Sequence, residues 1–450
     1  MDILLVNPPW KFKSSRPPLG LPYIAAVLED AGYQPRILDM GIENSPWGKL
    51  EEALGESPKF IGVTMNTSTF SEGLEVLRFV KKACPKAMTI VGGPHPTALP
   101  EETASMKEVD AVVRGEGEYT FLEILETVKK REDLKKVRGI TIKVKGKAHS
   151  TPERPLIMEL DKLPFPSRHL IKFERYEYRL KGRKAASMVC SRGCPYNCLY
   201  CLKALFGRKY RIRSVENVIK EIEKIKREYG VTAIMFNDDI FTLDKEWIKE
   251  FCEEVIRRDL GIIWRCETRV DNVSPEILKL MKVAGCYDIS YGIESGNQRI
   301  LDIIRKGIKL DQVRKAMKWT KEAGIHTTAY FMIGLPEETR KSAMDTIRFA
   351  SEIDPDEVRF SMTTPYPGTD LYRLALEKGL IESRDWSRYY AVGPMASTDP
   401  VMQNENLSKD ELKKLFRRAY MTFTISKMLK FNMSSLGWMK FVLRGIILGL

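Results

Sequence analysis

Residues 185–202 read Ala-Ala-Ser-Met-Val-Cys-Ser-Arg-Gly-Cys-Pro-Tyr-Asn-Cys-Leu-Tyr-Cys-Leu. Cys194, Cys198 and Cys201 follow a short apolar strand with Cys-x3-Cys-x2-Cys spacing. Three thiols this close cannot pair among themselves without leaving one over. As thiolates they can close around a metal ion or an iron–sulfur cluster. Zinc takes four ligands, and Cys190, on the strand side of the turn, is the one near candidate for a fourth. A four-iron cluster held by three cysteines leaves one iron open to a small molecule. A zinc loop and a set of buried thiols are the competing readings.

Outward from this loop toward the C-terminus, six strand–helix units are predicted. The strands lie near 186–190, 233–237, 262–266, 288–293, 327–333 and 357–362. The helices between them repeat apolar residues at helical period, as in Val215, Val218, Ile219, Ile222 and Ile225 behind Ser214. Six successive units give a partial (β/α)6 barrel of the TIM type, whose chemistry gathers at the carboxyl ends of the strands. Polar residues there are site candidates: Asp238 and Asp239, Arg265 with Glu267 and Arg269, Glu294 and Ser295, and the turn Gly334-Leu335. Two adjacent carboxylates at a strand end are costly unless they hold cations or donors.

Toward the N-terminus, apolar runs at 2–7, 36–39, 60–65, 87–91 and 110–114 alternate with helical stretches at 23–31, 71–83 and 119–130. That order predicts a doubly wound, Rossmann-like parallel sheet that binds ligands at its switch point. Its polar strand ends hold Thr64, Asn66, Thr67 and Ser68, then Gly92-Gly93-Pro94-His95. Glycines there let a ligand approach the backbone, and hydroxyls can donate to amides or phosphate. A hairpin over 138–151 closes this domain, and prolines at 152, 155, 164 and 166 mark a linker. The expected divisions are 1–150, a 151–184 linker, 185–400 for the barrel, and a helical C-terminal region over 401–450. The whole is α/β.

The 191–201 stretch resembles the cluster loop of radical S-adenosylmethionine (SAM) enzymes, including the aromatic Tyr200 before the third cysteine. The resemblance implies a [4Fe-4S] cluster on Cys194, Cys198 and Cys201, an open iron that chelates SAM, an external electron donor, and a 5′-deoxyadenosyl radical that abstracts hydrogen from an unactivated carbon. It assigns Asp238 and Asp239 to the SAM amino group, Arg265 to its carboxylate or ribose, Glu294 and Ser295 to the ribose region, and Gly334-Leu335 to the adenine. The N-terminal segment resembles the cobalamin-binding domain of one radical SAM subfamily. The stretches 17–23, 92–97 and Arg114-Gly115-Glu116-Gly117-Glu118 carry that likeness. It implies cobalamin contacts at Thr64, Asn66, Thr67, Gly92, Gly93, His95 and Glu116. The Asp-x-His-x-x-Gly loop of many cobalamin proteins has no counterpart here, so no histidine from it would ligate cobalt.

Of 450 residues, 73 are basic and 60 acidic, a formal charge of +13. That suggests an anionic partner. No zinc-finger spacing, Arg/Gly repeat or ribonucleoprotein motif is present, so nucleic acid is not expected. Eight cysteines without a pairing pattern, and an N-terminus that reads as a strand, predict a cytoplasmic protein. The tail from 436 to 450 is apolar but carries Lys440 and Arg444, too short and charged to span a bilayer. It reads as a helix docked on the body or lying on a membrane surface.

The functional expectation is a radical SAM enzyme, foremost a cobalamin-dependent methylase acting on a small molecule, with a lipid as the leading guess. A relative that performs ring closure or carbon–carbon coupling with a vestigial cobalamin domain is the first rival. A non-catalytic cobalamin or SAM sensor is the second, against which the intact cysteine loop argues.

Overall fold

Apolar runs ending in polar residues become strands ending at a ligand edge. In the computed structural model these are β1 (Ile3–Asn7), β2 (Pro35–Asp39), β3 (Phe60–Thr64), β4 (Met88–Gly92) and β5 (Ala111–Val113). Between them lie α1 (Gly20–Asp30), α2 (Pro46–Leu54), α3 (Phe70–Ala83), and the short α4 (Pro94–Ala98) and α5 (Pro100–Ser105); α6 (Glu118–Lys129) follows β5. The structure describes residues 2–10, 16–390 and 399–430. The expected tail segment 436–450 therefore lies outside the described residues.

By its contacts the chain divides into two units. The first comprises the chain through Cys194 together with Leu202–Val231. Its sheet runs β2-β1-β3-β4-β5-β6-β7, where β6 (Ile140–Val144) and β7 (Lys147–Ser150) form the closing antiparallel hairpin. The first five strands are parallel. The order reverses beside β1, which creates the expected switch point at Asn7 and Thr64. Ile3, Leu5, Ile90, Val113, Phe121 and Ile124 form a core between this sheet and its helices. The unit also holds β8 (Arg179–Leu180), antiparallel to β9 (Arg183–Met188), and a two-stranded sheet of β10 (Ser191–Arg192) with β11 (Arg211–Ile212). It ends with α7 (Val215–Tyr229). Ser214 Oγ accepts the Asn217 amide to cap that helix, and Gly230 stops it at φ +63°.

The second unit comprises Pro195–Cys201 and the chain from Thr232. It alternates β12 (Ala233–Phe236), α8 (Lys245–Arg257), β13 (Ile263–Thr268), α9 (Pro275–Val283), β14 (Cys286–Glu294), α10 (Gln298–Ile303), α11 (Leu310–Glu322), β15 (His326–Ile333), α12 (Arg340–Ile353), β16 (Glu357–Met362) and α13 (Asp370–Glu377). The five strands pair in sequence order, all parallel. One sheet face is apolar: Trp264, Ile289, Tyr291, Phe331 and Phe360 are all buried. Beside it, Phe236, Phe241, Phe251 and Trp264 interlock with ring centroids 4.6–6.0 Å apart, pairs worth about 0.5–1.5 kcal/mol each beyond area burial.

A long helix, α14 (Lys409–Lys430), finishes the described chain. Tyr420 Oη lies 3.1 Å from both the amide nitrogen and the carbonyl oxygen of Phe360 in the edge strand β16. This single side chain satisfies backbone groups that an open edge would expose. Among the described residues no helix is long and apolar enough to cross a membrane.

Candidate active site

The three cysteines sit on a short loop with little regular structure, so its conformation must be imposed from outside. Gly193, just before Cys194, has φ +85°, and a Cβ there would stand 2.4 Å from the Lys209 carbonyl oxygen. Only glycine fits. Gly193→Ala is therefore expected to displace the loop, and iron retained after anaerobic reconstitution is the measurement that registers it.

Within the second unit, the stretch 195–201 is pinned residue by residue. The Arg269 guanidinium lies 3.5 Å from the Tyr196 ring centroid, a cation–π contact that Asp271 holds in place through paired hydrogen bonds. Tyr196 Oη is hydrogen-bonded to Asn272. The Leu199 amide donates to Ile304 O at 2.9 Å, and Leu199 O accepts from the Leu371 amide at 2.9 Å. Cys198 is buried, Cys194 half-buried and Cys201 exposed.

Tyr200 Oη donates to Glu294 Oε1 at 2.9 Å, and Lys306 Nζ reaches both Glu294 Oε1 (2.8 Å) and Tyr200 Oη (3.0 Å). Burial, then the Glu294 carboxylate and the neighbouring thiols, hold the Tyr200 phenol well above its ordinary range. It stays protonated and donating. Glu294 itself sits at φ +72°, where the β14–β15 register shifts. A non-glycine residue in that region is strained. The strain turns its carboxylate toward Tyr200, so two predicted positions meet.

The other strand ends differ in burial and in the partners of their groups. At the end of β12, Asp238 is buried and Asp239 exposed. Arg265 is buried in β13, its Nε 3.1 Å from Asp288 Oδ2 and its Nη2 donating to Ser290 Oγ. Asp288 Oδ1 also meets His326 Nδ1 at 2.9 Å. By register, Arg265, Asp288 and His326 form one rung of the sheet face opposite the apolar core, and Glu267 with Ser290 and Thr328 form the next. Tyr330 and Arg359 are paired on that face too. It is a polar wall, unlike the apolar packed interior of a full barrel.

Ser295 is fully buried and bonded to Thr346 Oγ1 at 3.0 Å. The Gly334 amide, at φ +90°, donates to Glu338 Oε2 at 2.6 Å, and Asn404 Nδ2 donates to Leu335 O at 2.9 Å. Burial raises the Glu338 carboxyl from 4.5 to about 8, against two backbone hydrogen bonds that lower it. The folded state thus binds a proton that the unfolded chain has released. Stability should fall as pH rises from about 4.5 to about 8, by up to about 1.4 kcal/mol per pH unit. Glu338→Gln should flatten that slope in denaturant melts taken across the window.

In the first unit, the carboxyl ends of β1, β3, β4 and β5 surround a cavity of about 360 Å³. Leu5, Val63, Ile90 and Val113 form an apolar floor, and Asn7, Thr64, Asn66, Gly92, Gly93 and Glu116 are also in the lining. Gly93 has φ +104°, and a Cβ would meet Met65 O at 2.8 Å, so the turn exists only as glycine. Thr67 and His95 do not line the cavity. His95 is fully buried, its ring 4.1 Å from Phe70 and its Nδ1 3.3 Å from Thr67 Oγ1. Burial lowers its pKa to about 4, so it is neutral near pH 7.

Glu116 and Glu118 leave the β5 turn and enter a buried ion-pair network. Arg192 bridges them at 2.8 and 2.6 Å, and Arg211 meets Glu116 at 2.8 Å. The Ile157 amide also donates to Glu116 Oε2. Arg192 and Arg211 flank the cysteine loop in sequence and share the β10–β11 rungs. A second buried set, Arg168 and Arg213 on Glu221, lies in the same unit.

The residues present fit the two implied groups. Among the described residues no three His, Cys, Asp or Glu side chains converge as a single metal ion requires. Three soft thiols on separate irons of a cluster do not need that convergence. The cavity, apolar below with polar groups and two glycines at its strand ends, suits a flat heteroaromatic group with a polar tail.

Sequence reasoning missed Lys306, Asp288, Glu338 and the Arg192–Arg211 network. Lys306 sits in an Arg-Lys-Gly turn whose neighbours Arg305 and Gly307 both have positive φ, and the Lys-Gly step was the available signal.

Residues 188–350 match the radical SAM superfamily, and residues 11–125 match the B12 binding domain. An uncharacterized methyltransferase of Pyrococcus horikoshii is 36% identical over 94% of this chain and 92% of its own. An anaerobic magnesium-protoporphyrin IX monomethyl ester cyclase of Rubrivivax gelatinosus is 31% identical, over 94% and 78%. Among solved structures, the radical SAM methyltransferase TsrM from Kitasatospora setae, with cobalamin and a [4Fe-4S] cluster bound, superposes with a TM-score of 0.75 at 18% identity, covering 95% of this chain and 89% of that one. The last likeness is one of fold: a doubly wound sheet, then a partial barrel.

Proposed function

Since the chain belongs to the radical SAM enzymes that carry a B12 binding domain, we propose that it methylates an unactivated carbon of a small molecule, using a [4Fe-4S] cluster, SAM and cobalamin. The observation that carries this reading is the presence in one chain of a three-cysteine loop pinned at Tyr196, Leu199 and Tyr200 and a strand-end cavity of about 360 Å³. When bound, these groups supply the electron that cleaves SAM into a hydrogen-abstracting radical, and the methyl group to be transferred.

The protein's own share is holding and shielding. Cys194, Cys198 and Cys201 would hold the cluster. Glu294, oriented by Tyr200 and Lys306, offers its remaining acceptor capacity to ribose hydroxyls, and Asp238 and Asp239 offer carboxylates to an amino group. Ser295 and Leu335 support their turns from beneath. Gly334 shapes its turn while Glu338 occupies its amide. In the other unit Thr64, Asn66, Gly92 and Gly93 would contact the corrinoid or its tail, with Thr67 and His95 buttressing that wall from behind and Glu116 anchoring the β5 turn.

The polar row Glu267, Tyr330 and Arg359 favours an acceptor with polar groups beside the reacting carbon. A lipid with a polar head satisfies both that row and the basic charge of the chain. Ring closure is the second reading, favoured by the 31% identity to the cyclase.

Anaerobic incubation with SAM and a strong reductant tests the proposal. Formation of both 5′-deoxyadenosine and S-adenosylhomocysteine is expected. The first without the second would transfer the case to ring closure, and neither would make the chain a sensor.

A further inference from the structure

The buried side of α14 carries Leu412, Leu415, Phe416, Ala419 and Phe423. Its outer side is not the usual solvated face. At helical spacing it presents Lys414, Arg417 and Arg418 in the first half, all exposed. On the same stripe in the second half it presents Met421 (48% exposed), Ile425 (52%), Met428 (43%) and Leu429 (83%). Four large apolar side chains on one exposed stripe cost free energy in water, about 25 cal/mol per Å² of apolar surface.

Charge narrows the choice of what covers them. From Leu412 to Leu450 the sequence contains eight Lys or Arg and no Asp or Glu. Lys413 is answered by Asp399, and Lys427 and Lys430 by Asp354. Lys414, Arg417 and Arg418 make no salt bridge among the described residues. A second copy of this chain would bring the same positive face against itself. A bilayer bearing anionic head groups offers the apolar stripe a non-aqueous phase and the cations a counter-charge.

We infer that the outer face of α14 docks on an anionic membrane surface, with Met421, Ile425, Met428 and Leu429 entering the acyl boundary and Lys414, Arg417 and Arg418 at head-group level. The inference rests on no part of the catalytic reading.

Co-sedimentation of the full chain with phosphatidylcholine vesicles, with or without phosphatidylglycerol, tests it. Binding to the anionic vesicles alone is expected, weakening with salt. Arg417→Glu with Arg418→Glu should lower the partition at least about tenfold, at about 1 kcal/mol per cation. Met421→Asp with Ile425→Asp should do the same. All four positions are surface-exposed, and unchanged circular dichroism would confirm folding. The inference is overturned if the native chain stays in the supernatant. It also fails if these variants bind like the native chain while Lys440→Glu with Arg444→Glu does not. Equally fatal is a concentration-dependent dimer that Met421→Asp abolishes without any vesicle binding, which would assign the face to a second copy.

Discussion

Cys198→Ala is expected to abolish SAM cleavage, lowering 5′-deoxyadenosine formation by more than about a thousandfold, because the reaction has no comparable path without the cluster. The effect should be chemical and not structural. The neighbouring Leu199 is held at both its amide and its carbonyl by Ile304 and Leu371, and Tyr196 is clamped by Arg269. None of those contacts uses a sulfur. Circular dichroism and the melting temperature of the cluster-free protein should therefore match those of the cluster-free native chain, while iron taken up on reconstitution collapses. A variant that unfolds would show instead that the thiol is a core residue.

Glu116→Gln is the substitution with the largest expected effect on stability. The Glu116 carboxylate accepts from Arg192, Arg211 and the Ile157 amide, and both arginines are buried. Neutralising it leaves the buried Arg211 without a carboxylate and Arg192 with Glu118 alone, and removing one partner of such a buried set costs about 3–5 kcal/mol. Urea melts of the cluster-free chain would register the loss in the transition of the first unit. Replacing Glu116, Glu118, Arg192 and Arg211 together by apolar residues of similar size should recover most of it, since the desolvation penalty disappears with the charges. Loss in the quadruple variant as large as in the single one would mean that the pairs themselves, not the stranded charge, stabilise the fold.

The parts of the molecule that could be read from the sequence are those where a short-range pattern meets a single structural demand. Alternation of apolar strands with periodic helices needs no knowledge of contacts, which is why β12 to β16 begin and end close to their expected residues. Gly93 was legible as a position where a side chain is forbidden; Gly193 was not. Helix α2 was not, because Pro46–Leu54 buries only Leu50, Ala53 and Leu54, too few apolar positions to display a period. The site resisted reading wherever its partners lie far apart in sequence. Tyr200 and Glu294 were both candidates, but nothing local says that Lys306 joins them, or that Asp288 and Ser290 occupy Arg265 from the neighbouring strand. His95 follows two glycines at a strand end and was expected to contact cobalamin; its ring is packed on Phe70 and does not line the cavity. Composition could not show which of the many Glu residues are buried, as Glu116, Glu118, Glu221 and Glu338 are.

Electron paramagnetic resonance of the chain, reconstituted with iron and sulfide in the absence of oxygen and then reduced, tells a SAM-binding cluster from a zinc loop. About four irons per chain and the signal of a reduced four-iron cluster are expected, changed in shape when SAM is added because SAM takes the open iron. Tight uptake of zinc in place of iron, or a cluster signal that SAM leaves untouched, would contradict a SAM-binding cluster.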